Sequence, residues 1–443
     1  LVIRIWEFNF VAQNQILMTN HYRPRVLDAE LERRLQSVGA VVIEGAKWCG
    51  KSTTAEQHSR SQIFMDHPQR REQYQLFVDE NPDLILRGET PRLIDEWQLA
   101  PRLWDAVRFT VDHREGMGQF ILTGSAKPAD RQQIYHSGTG RFAWVKMRPM
   151  SLSESGDSSG AVSLSALFAN PDGEMACEAQ SDLERVAFWV CRGGWPASID
   201  LSEEYALSPA IDYLDGVVNV DIRQVDGVDR SVARAKNLMR SYARLQGTQA
   251  SVRQIVEDMN GGDKETMEDK TVRNYLNALQ SMFVIEDMPA WNPNLKSRTA
   301  IRTSNTHYFV DPSIATAALG IGPGDLMNDL KAFGLLFETL CVRDLRVYAQ
   351  PMRGEVYHYR DKDGLECDAV IHLPNGHYGL IEIKIGGEKA IEEGATTLKR
   401  LGSKIDLDHM SAPSFMMVLT AVGAFAYRRR DGVLVVPIST LGA

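Results

Sequence analysis

At 443 residues the chain is too long for a single apolar core and predicts two to four domains. Its 44% hydrophobic and 24% charged residues are those of an ordinary globular protein and exclude long disorder. A formal net charge of −9 excludes non-specific attraction of the whole molecule to DNA, so any nucleic-acid contact needs a local basic surface. Five scattered cysteines (Cys49, Cys177, Cys191, Cys341 and Cys367) form no C-x-x-C pair. They argue against a disulfide framework or structural zinc and fit a reducing, cytoplasmic setting. No apolar run is long enough to cross a bilayer, so no membrane role is expected; the longest, residues 415–426, is broken by Thr420 and Gly423.

In chain order, residues 1–17 lack the apolar core and small-residue cleavage site of a signal peptide. They read as an extension before a natural start at Met18. Residues 40–44 (AVVIE), between Gly39 and Gly45, predict a buried parallel strand. A loop over 45–52 and a helix from about Lys51 follow. Further strands are expected at 61–66, 92–95, 119–123 and 142–147, with helices over 68–80 and 101–113 between them. Strand alternating with helix predicts an α/β domain over 18–156, a parallel P-loop sheet covered on both faces. Residues 153–182 are rich in Ser, Gly, Asp and Ala, and a loose linker is drawn at 157–182. Residues 183–291 are helical by pattern. Helices over 235–245, after Ser251 and over 270–282, then an apolar 283–288, follow the order of a winged helix-turn-helix. A connector spans 292–332. The last unit, 333–443, opens with a helix to about 348 and continues in strands at 356–360, 365–373 and 378–385, joined by the turns DKDG and PNGH.

The loop Gly45-Ala46-Lys47-Trp48-Cys49-Gly50-Lys51-Ser52 matches G-x-x-x-x-G-K-[ST]. Glycines let the backbone wrap a phosphate with its N–H groups inward, and the following helix adds the positive end of its dipole. Lys51 is the candidate for the β and γ oxygens, Ser52 offers a hydroxyl to Mg²⁺, and Thr53 continues the helix. Trp48 either covers a phosphate or faces a neighbour, and Cys49 reads as a small filler. The acidic strand end Leu93-Ile94-Asp95-Glu96 suits a cation site, with Asp95 holding Mg²⁺ through water and Glu96 polarising the attacking water. The fourth strand is expected between the first and third. Ser125 at its end is then a candidate to orient the water or touch the γ-phosphate, with Thr123 as competitor. Arg141, closing HSGTGR, is read either as an arginine finger or as a solvated arginine. A finger shared between subunits would require a homo-oligomer.

The segments EGAKWCGKSTTAEQ, LIDEWQ, FILTGSAKP, HSGTGR, MRPMSLSESG and GGWP resemble a family of bacterial and archaeal AAA-type ATPases with a C-terminal domain of unknown function. The resemblance runs from about Met18 to the end. It implies an AAA-type core using ATP rather than GTP, a winged-helix middle and a restriction-endonuclease-like C-terminal fold.

Side chains two apart on a strand share a face, so Glu382 and Lys384 point together, as do Glu366 and Asp368 on the preceding strand. With Glu338 on the helix before them, Asp368, Glu382 and Lys384 resemble the PD-(D/E)xK nuclease pattern, in which carboxylates collect Mg²⁺ and a lysine steadies developing charge. The competing reading is a solvated strand face held by salt bridges, in a domain kept for binding or assembly. In the helical middle, acidic residues nearly balance the basic ones. Lys270, Arg273 and Asn274 fall where a recognition helix would begin, leaving DNA contact and protein contact both open. Three functions follow: an ATP-driven switch, an ATP-gated nuclease, and a non-catalytic ATP-binding regulator of DNA or a partner.

Overall fold

Ala40, Val41, Val42 and Ile43 are all fully buried, which an apolar strand achieves only at the middle of a sheet covered on both faces. In the computed structural model, which describes residues 22–126, 137–173, 176–261, 267–292 and 304–443, they form β1 (Ala40–Glu44). The sheet also contains β2 (Ser61–Phe64), β3 (Arg92–Asp95), β4 (Phe120–Gly124) and β5 (Phe142–Lys146), in the order β2-β3-β4-β1-β5. Every pairing is parallel, so all the strand C-terminal ends open on one edge. Helices α1 (Val26–Leu35) and α2 (Lys51–Gln57) belong to the core of one face, and α3 (Arg71–Glu80) and α4 (Leu103–His113) to that of the other. The register Ile43↔Thr123 and Glu44↔Gly124 brings the end of β4 beside the loop after β1. That position is the crevice in which open α/β sheets bind ligands. The N-terminal extension 1–17 lies outside the described residues.

The segment 157–182, expected as a loose linker, is built into the distant end of the chain. Its β6 (Val162–Ser163) pairs with the final strand of the chain, Leu441–Gly442, and its β7 (Ala176–Glu178) becomes an edge of the C-terminal sheet. Composition resembles a linker here because short edge strands tolerate small polar residues. The C-terminal sheet adds β8 (Glu355–Arg360), β9 (Glu366–His372), β10 (Tyr378–Lys384), β11 (Phe415–Thr420), β12 (Phe425–Arg428) and β13 (Leu434–Pro437), in the order β7-β12-β13-β11-β10-β9-β8. The strands on either side of the PNG turn, β9 and β10, are antiparallel neighbours.

Between the two sheets stand α5 (Leu183–Arg192), α6 (Val232–Arg244), α7 (Val252–Asn260), α8 (Asp269–Ser281), α9 (Pro312–Leu319) and α10 (Leu330–Ala349). Ser231 and Ser251 cap α6 and α7 through their side chains, as caps before amphipathic runs do. The stretch 283–288 is not a continuous strand: Phe283 takes a positive φ of 57°, and among the described residues it makes only the antiparallel bridges Ile285↔Phe309 and Met288↔Thr306. Nor is 304–332 a bare connector, because Ile314 and Ala315 of α9 are fully buried against the other helices. A single apolar cluster runs from Val186 through the helices to Met417 and Leu434 of the C-terminal sheet. α11 (Glu388–Lys404) covers that sheet's other face. Glu286 ties this body to the five-stranded parallel sheet. Against burial, the charges of Arg148, Arg346 and Lys146 hold its carboxyl well below the ordinary range, with Arg148 at 2.7 Å and Lys146 at 3.0 Å.

Candidate functional site

The loop after β1 requires glycine for space and for backbone sign. A Cβ on Gly45 would lie 2.0 Å from the Met147 carbonyl oxygen, and Gly50 takes φ +102° as it enters α2. Within the loop Ala46 and Cys49 are buried. The Cys49 thiol meets the Met147 carbonyl at 3.5 Å, and its own carbonyl accepts from Arg25 at 2.8 Å. The filler role read for Cys49 agrees with that burial. Lys47 leaves the loop to pair with Asp221 at 2.6 Å, on a π-helical turn (Val217–Asp221). Trp48 is 57% exposed with φ +63°; its ring lies 6.5 Å from the Tyr213 ring, and it also lines the cavity formed by the loop.

Lys51 is only 5% exposed, and its ammonium donates to the Ala46 carbonyl at 2.7 Å. That contact keeps the charge inside the loop. Ser52 donates to Asp95 Oδ1 at 2.7 Å, and Thr123 donates to the same oxygen. Thr123 is thus a holder of Asp95, while Ser125 donates to Glu96 Oε2 at 3.0 Å. Glu96 has φ +54°, a left-handed conformation costly to a residue with a Cβ. This turn sends its carboxylate across to the end of β4. Burial pushes the Glu96 carboxyl above its ordinary range, while the Gln98 amide and the Lys51 charge act in the opposite direction. Gln98 donates to Glu96 Oε2 as well.

These groups line one cavity of about 720 Å³, which Trp48, Gly50, Lys51, Ser52, Thr53, Asp95, Glu96 and Ser125 share. The lining also includes Tyr22, Arg23, Met150, Pro196, Ala197 and Asp200. Arg23 and Asp200 meet there at 2.5 Å. None of these six is marked by a local pattern that names a ligand, although Met150 and Pro196 lie inside the MRPM and GGWP segments. Gln98 had a legible signal, two residues after Glu96 in LIDEWQ. Arg141 does not join the cavity: it is half-exposed and pairs with Asp112 at 2.8 Å. A finger within its own subunit is therefore not assembled here. Ser52 and Asp95 present hard oxygen donors to one point, which suits Mg²⁺ shared with phosphate and water. Among the described residues no group of three or more His, Cys, Asp or Glu side chains could hold a metal by itself.

The second constellation also converges. Lys384 bridges Glu382 at 2.7 Å and Asp368 at 3.1 Å, and Asp368 accepts the Ile383 N–H at 2.7 Å. Tyr308 donates to Glu338 Oε1. Burial and then the Asp368 charge push both the Glu338 and the Glu382 carboxyls above their ordinary range, while, against burial, Asp368 and Glu382 hold the Lys384 ammonium charged. Lys384 occupies the place between the carboxylates, the arrangement expected of a salt-bridged strand face. Glu366 pairs with Arg360 at 3.0 Å and is not part of this cluster.

Residues 37–156 match the AAA domain family, residues 333–441 match a domain of unknown function (DUF4143), and residues 183–325 match another (DUF8612). The chain is 24% identical over 360 residues to "Uncharacterized protein Rv2008c" of Mycobacterium tuberculosis, covering 80% of this chain and 72% of that protein. The same figures hold for "Uncharacterized protein Mb2031c" of Mycobacterium bovis. Among solved structures, the Walker-type ATPase paby2304 of Pyrococcus abyssi is 13% identical with a TM-score of 0.40, over 66% of this chain and 94% of that one. The Aeropyrum pernix ORC1 protein in complex with DNA is 14% identical with a TM-score of 0.25, over 68% and 94%.

Proposed function

We propose that this chain, which joins an AAA domain to a C-terminal DUF4143 domain, is a Mg²⁺-dependent ATPase whose nucleotide state acts on its helical and C-terminal body. The observation that carries this reading is the convergence of Lys51, Ser52, Asp95, Glu96 and Ser125 on one cavity at the C-terminal edge of the parallel sheet. Lys51 would leave the Ala46 carbonyl for the β and γ oxygens of ATP. Ser52 and Asp95 would hold Mg²⁺, which when bound neutralises charge on those oxygens. Glu96, turned over the end of β4, is placed to take a proton from the attacking water, and Ser125 fixes its carboxylate. Met150, Pro196 and Ala197, also in the cavity lining, belong to segments packed on the helical body, so nucleotide bound in the cavity would touch both units. Arg141, paired with Asp112 away from the cavity, is either a solvated arginine or a finger offered to a neighbouring copy, and only the second makes a homo-oligomer part of this reading. The deciding experiment is ATP turnover by the full chain and by Glu96→Gln. Loss of turnover with retained nucleotide binding supports hydrolysis, whereas unaltered turnover removes Glu96 from the role.

A second reading, an ATP-gated nuclease with a winged-helix DNA contact, rests on the convergence of Glu338, Asp368, Glu382 and Lys384. The restriction-endonuclease-like fold, and DNA contact by Lys270, Arg273 and Asn274, belong to this reading. Incubation with single- and double-stranded DNA, ATP and Mg²⁺ or Mn²⁺, beside Lys384→Ala, separates it from the first. Cleavage lost in the variant makes the cluster a nuclease site. ATP turnover without cleavage leaves it a structural salt-bridge face in a binding or assembly domain.

A further inference from the structure

We propose that Gln98 is a positioning residue for hydrolysis, clamping Glu96 together with Ser125 so that one carboxylate oxygen is left for the attacking water. The inference rests on the ATPase reading and adds to it a residue outside the phosphate loop and the acidic strand end. Both donors, the Gln98 amide and the Ser125 hydroxyl, meet the same oxygen, Oε2 of Glu96. Oε1 makes no hydrogen bond among the described residues, and Glu96 lines the cavity. Two donors from different segments fix a carboxylate's plane, where one would leave it free to swing.

The Gln98 side chain accepts a penalty to do this. Its Oε1 is buried and without a partner among the described residues. Turning the amide over would set oxygen against the Glu96 oxygen. Space is reserved for the amide by Gly124, where a Cβ would come within 2.9 Å of Gln98 Oε1 and 3.2 Å of Trp97 Nε1. Gly124 has no left-handed φ, so what it supplies is room. The backbone beneath Gln98 is anchored by Trp97, which is 2% exposed and packs on Trp104 at 5.2 Å.

The test uses the full chain, steady-state ATP hydrolysis, and calorimetry with a non-hydrolysable ATP analogue and Mg²⁺. Gln98→Met keeps the length and removes the donor. It should lower kcat by about 10- to 100-fold, the scale of a misplaced reacting group, with the analogue's Kd within about twofold of the parent. Ser125→Ala should act in the same direction, and the double variant should lose less than the product of the two, because both donors serve one oxygen. Gly124→Ala, which crowds the amide, should show a smaller loss of the same kind. Unchanged or raised kcat in Gln98→Met, strictly multiplicative losses, or a Kd that worsens as much as kcat falls would each overturn the proposal. Glu96→Gln separates the two levels. If it retains full turnover, the ATPase assignment itself fails. If it is inactive while Gln98→Met matches the parent, only the clamp fails.

Discussion

Arg343→Met tests whether the segments that carry Met150 and Pro196 are held by charge buried deep in the helical body. The Arg343 guanidinium donates to Asp311 Oδ2 at 2.8 Å and to Asp344 Oδ1 at 2.8 Å, and all three side chains are essentially without exposure. Asp311 also accepts the Gly194 N–H at 2.9 Å, and Asp344 the Leu152 N–H at 3.0 Å. The triad therefore ties α10 to the turn before Pro196 and to the segment after Met150. Methionine fills the volume and leaves two buried carboxylates unpaired. Removing one partner of a buried ion pair costs about 3–5 kcal/mol. Burial already pushes Asp344 above the ordinary range, so its ready neutralisation places the expected loss near the lower limit, about 3 kcal/mol. With a urea slope of about 1–3 kcal/mol per molar, the midpoint should fall by about 1–3 M. The melt can be followed by far-ultraviolet circular dichroism, because the triad sits among the helices of that body. A shift below about 0.3 M would refute the argument. So would an Arg343→Met, Asp311→Asn, Asp344→Asn triple variant no more stable than the single one, since neutralising the stranded carboxylates should recover most of the loss.

Glu96→Gln should lower ATP turnover by roughly 10²- to 10⁴-fold while leaving analogue binding intact, because it removes the proton acceptor and keeps the shape. Lys51→Ala should weaken nucleotide binding by about 10- to 100-fold in calorimetry, the worth of one charged hydrogen bond to phosphate; unchanged affinity would overturn the phosphate-loop assignment. His307 gives a pH test. Burial opposes its charged form, but the hydrogen bond and charge of Asp287, with the Ala250 carbonyl, outweigh burial and raise its pKa above the ordinary 6.5. A raised folded-state pKa means stability that is fully present below the unfolded value and is lost as pH rises through the folded one. Urea midpoints should therefore fall as pH rises upward from about 6.5, and His307→Asn should flatten that slope. An identical slope in the variant would assign the dependence elsewhere.

The residues that were legible in advance are those whose chemistry is local. The phosphate loop needs its glycines, lysine and serine at fixed spacing because consecutive backbone N–H groups wrap one phosphate, so strand, loop and helix could be read together. Asp95 and Glu96 were visible because two carboxylates ending an apolar strand demand a cation or a proton. The placing of β4 between β1 and β3 also followed from the strand pattern. Thr123 was harder: its alternation with Ser125 is plain, but only the sheet register shows that Thr123 serves Asp95 and Ser125 serves Glu96.

What the sequence by itself determined, then, is the parallel sheet, its loop and the helical and strand segments that follow, all set by periodicity and by glycine. Tertiary structure alone decided how distant segments are shared. The Ser- and Gly-rich 157–182 supplies edge strands because β12 and the chain's final strand offer unpaired hydrogen-bonding groups. Residues 308–316 become core because α9 is apolar on nearly every side. Arg141 turns to Asp112 rather than to the cavity, since a nearby carboxylate satisfies it. The cavity wall is built from residues up to 178 positions apart, Tyr22 and Asp200 among them. No local pattern encodes such a wall, because its members meet only through the buried charges and apolar packing that fold the chain back on itself.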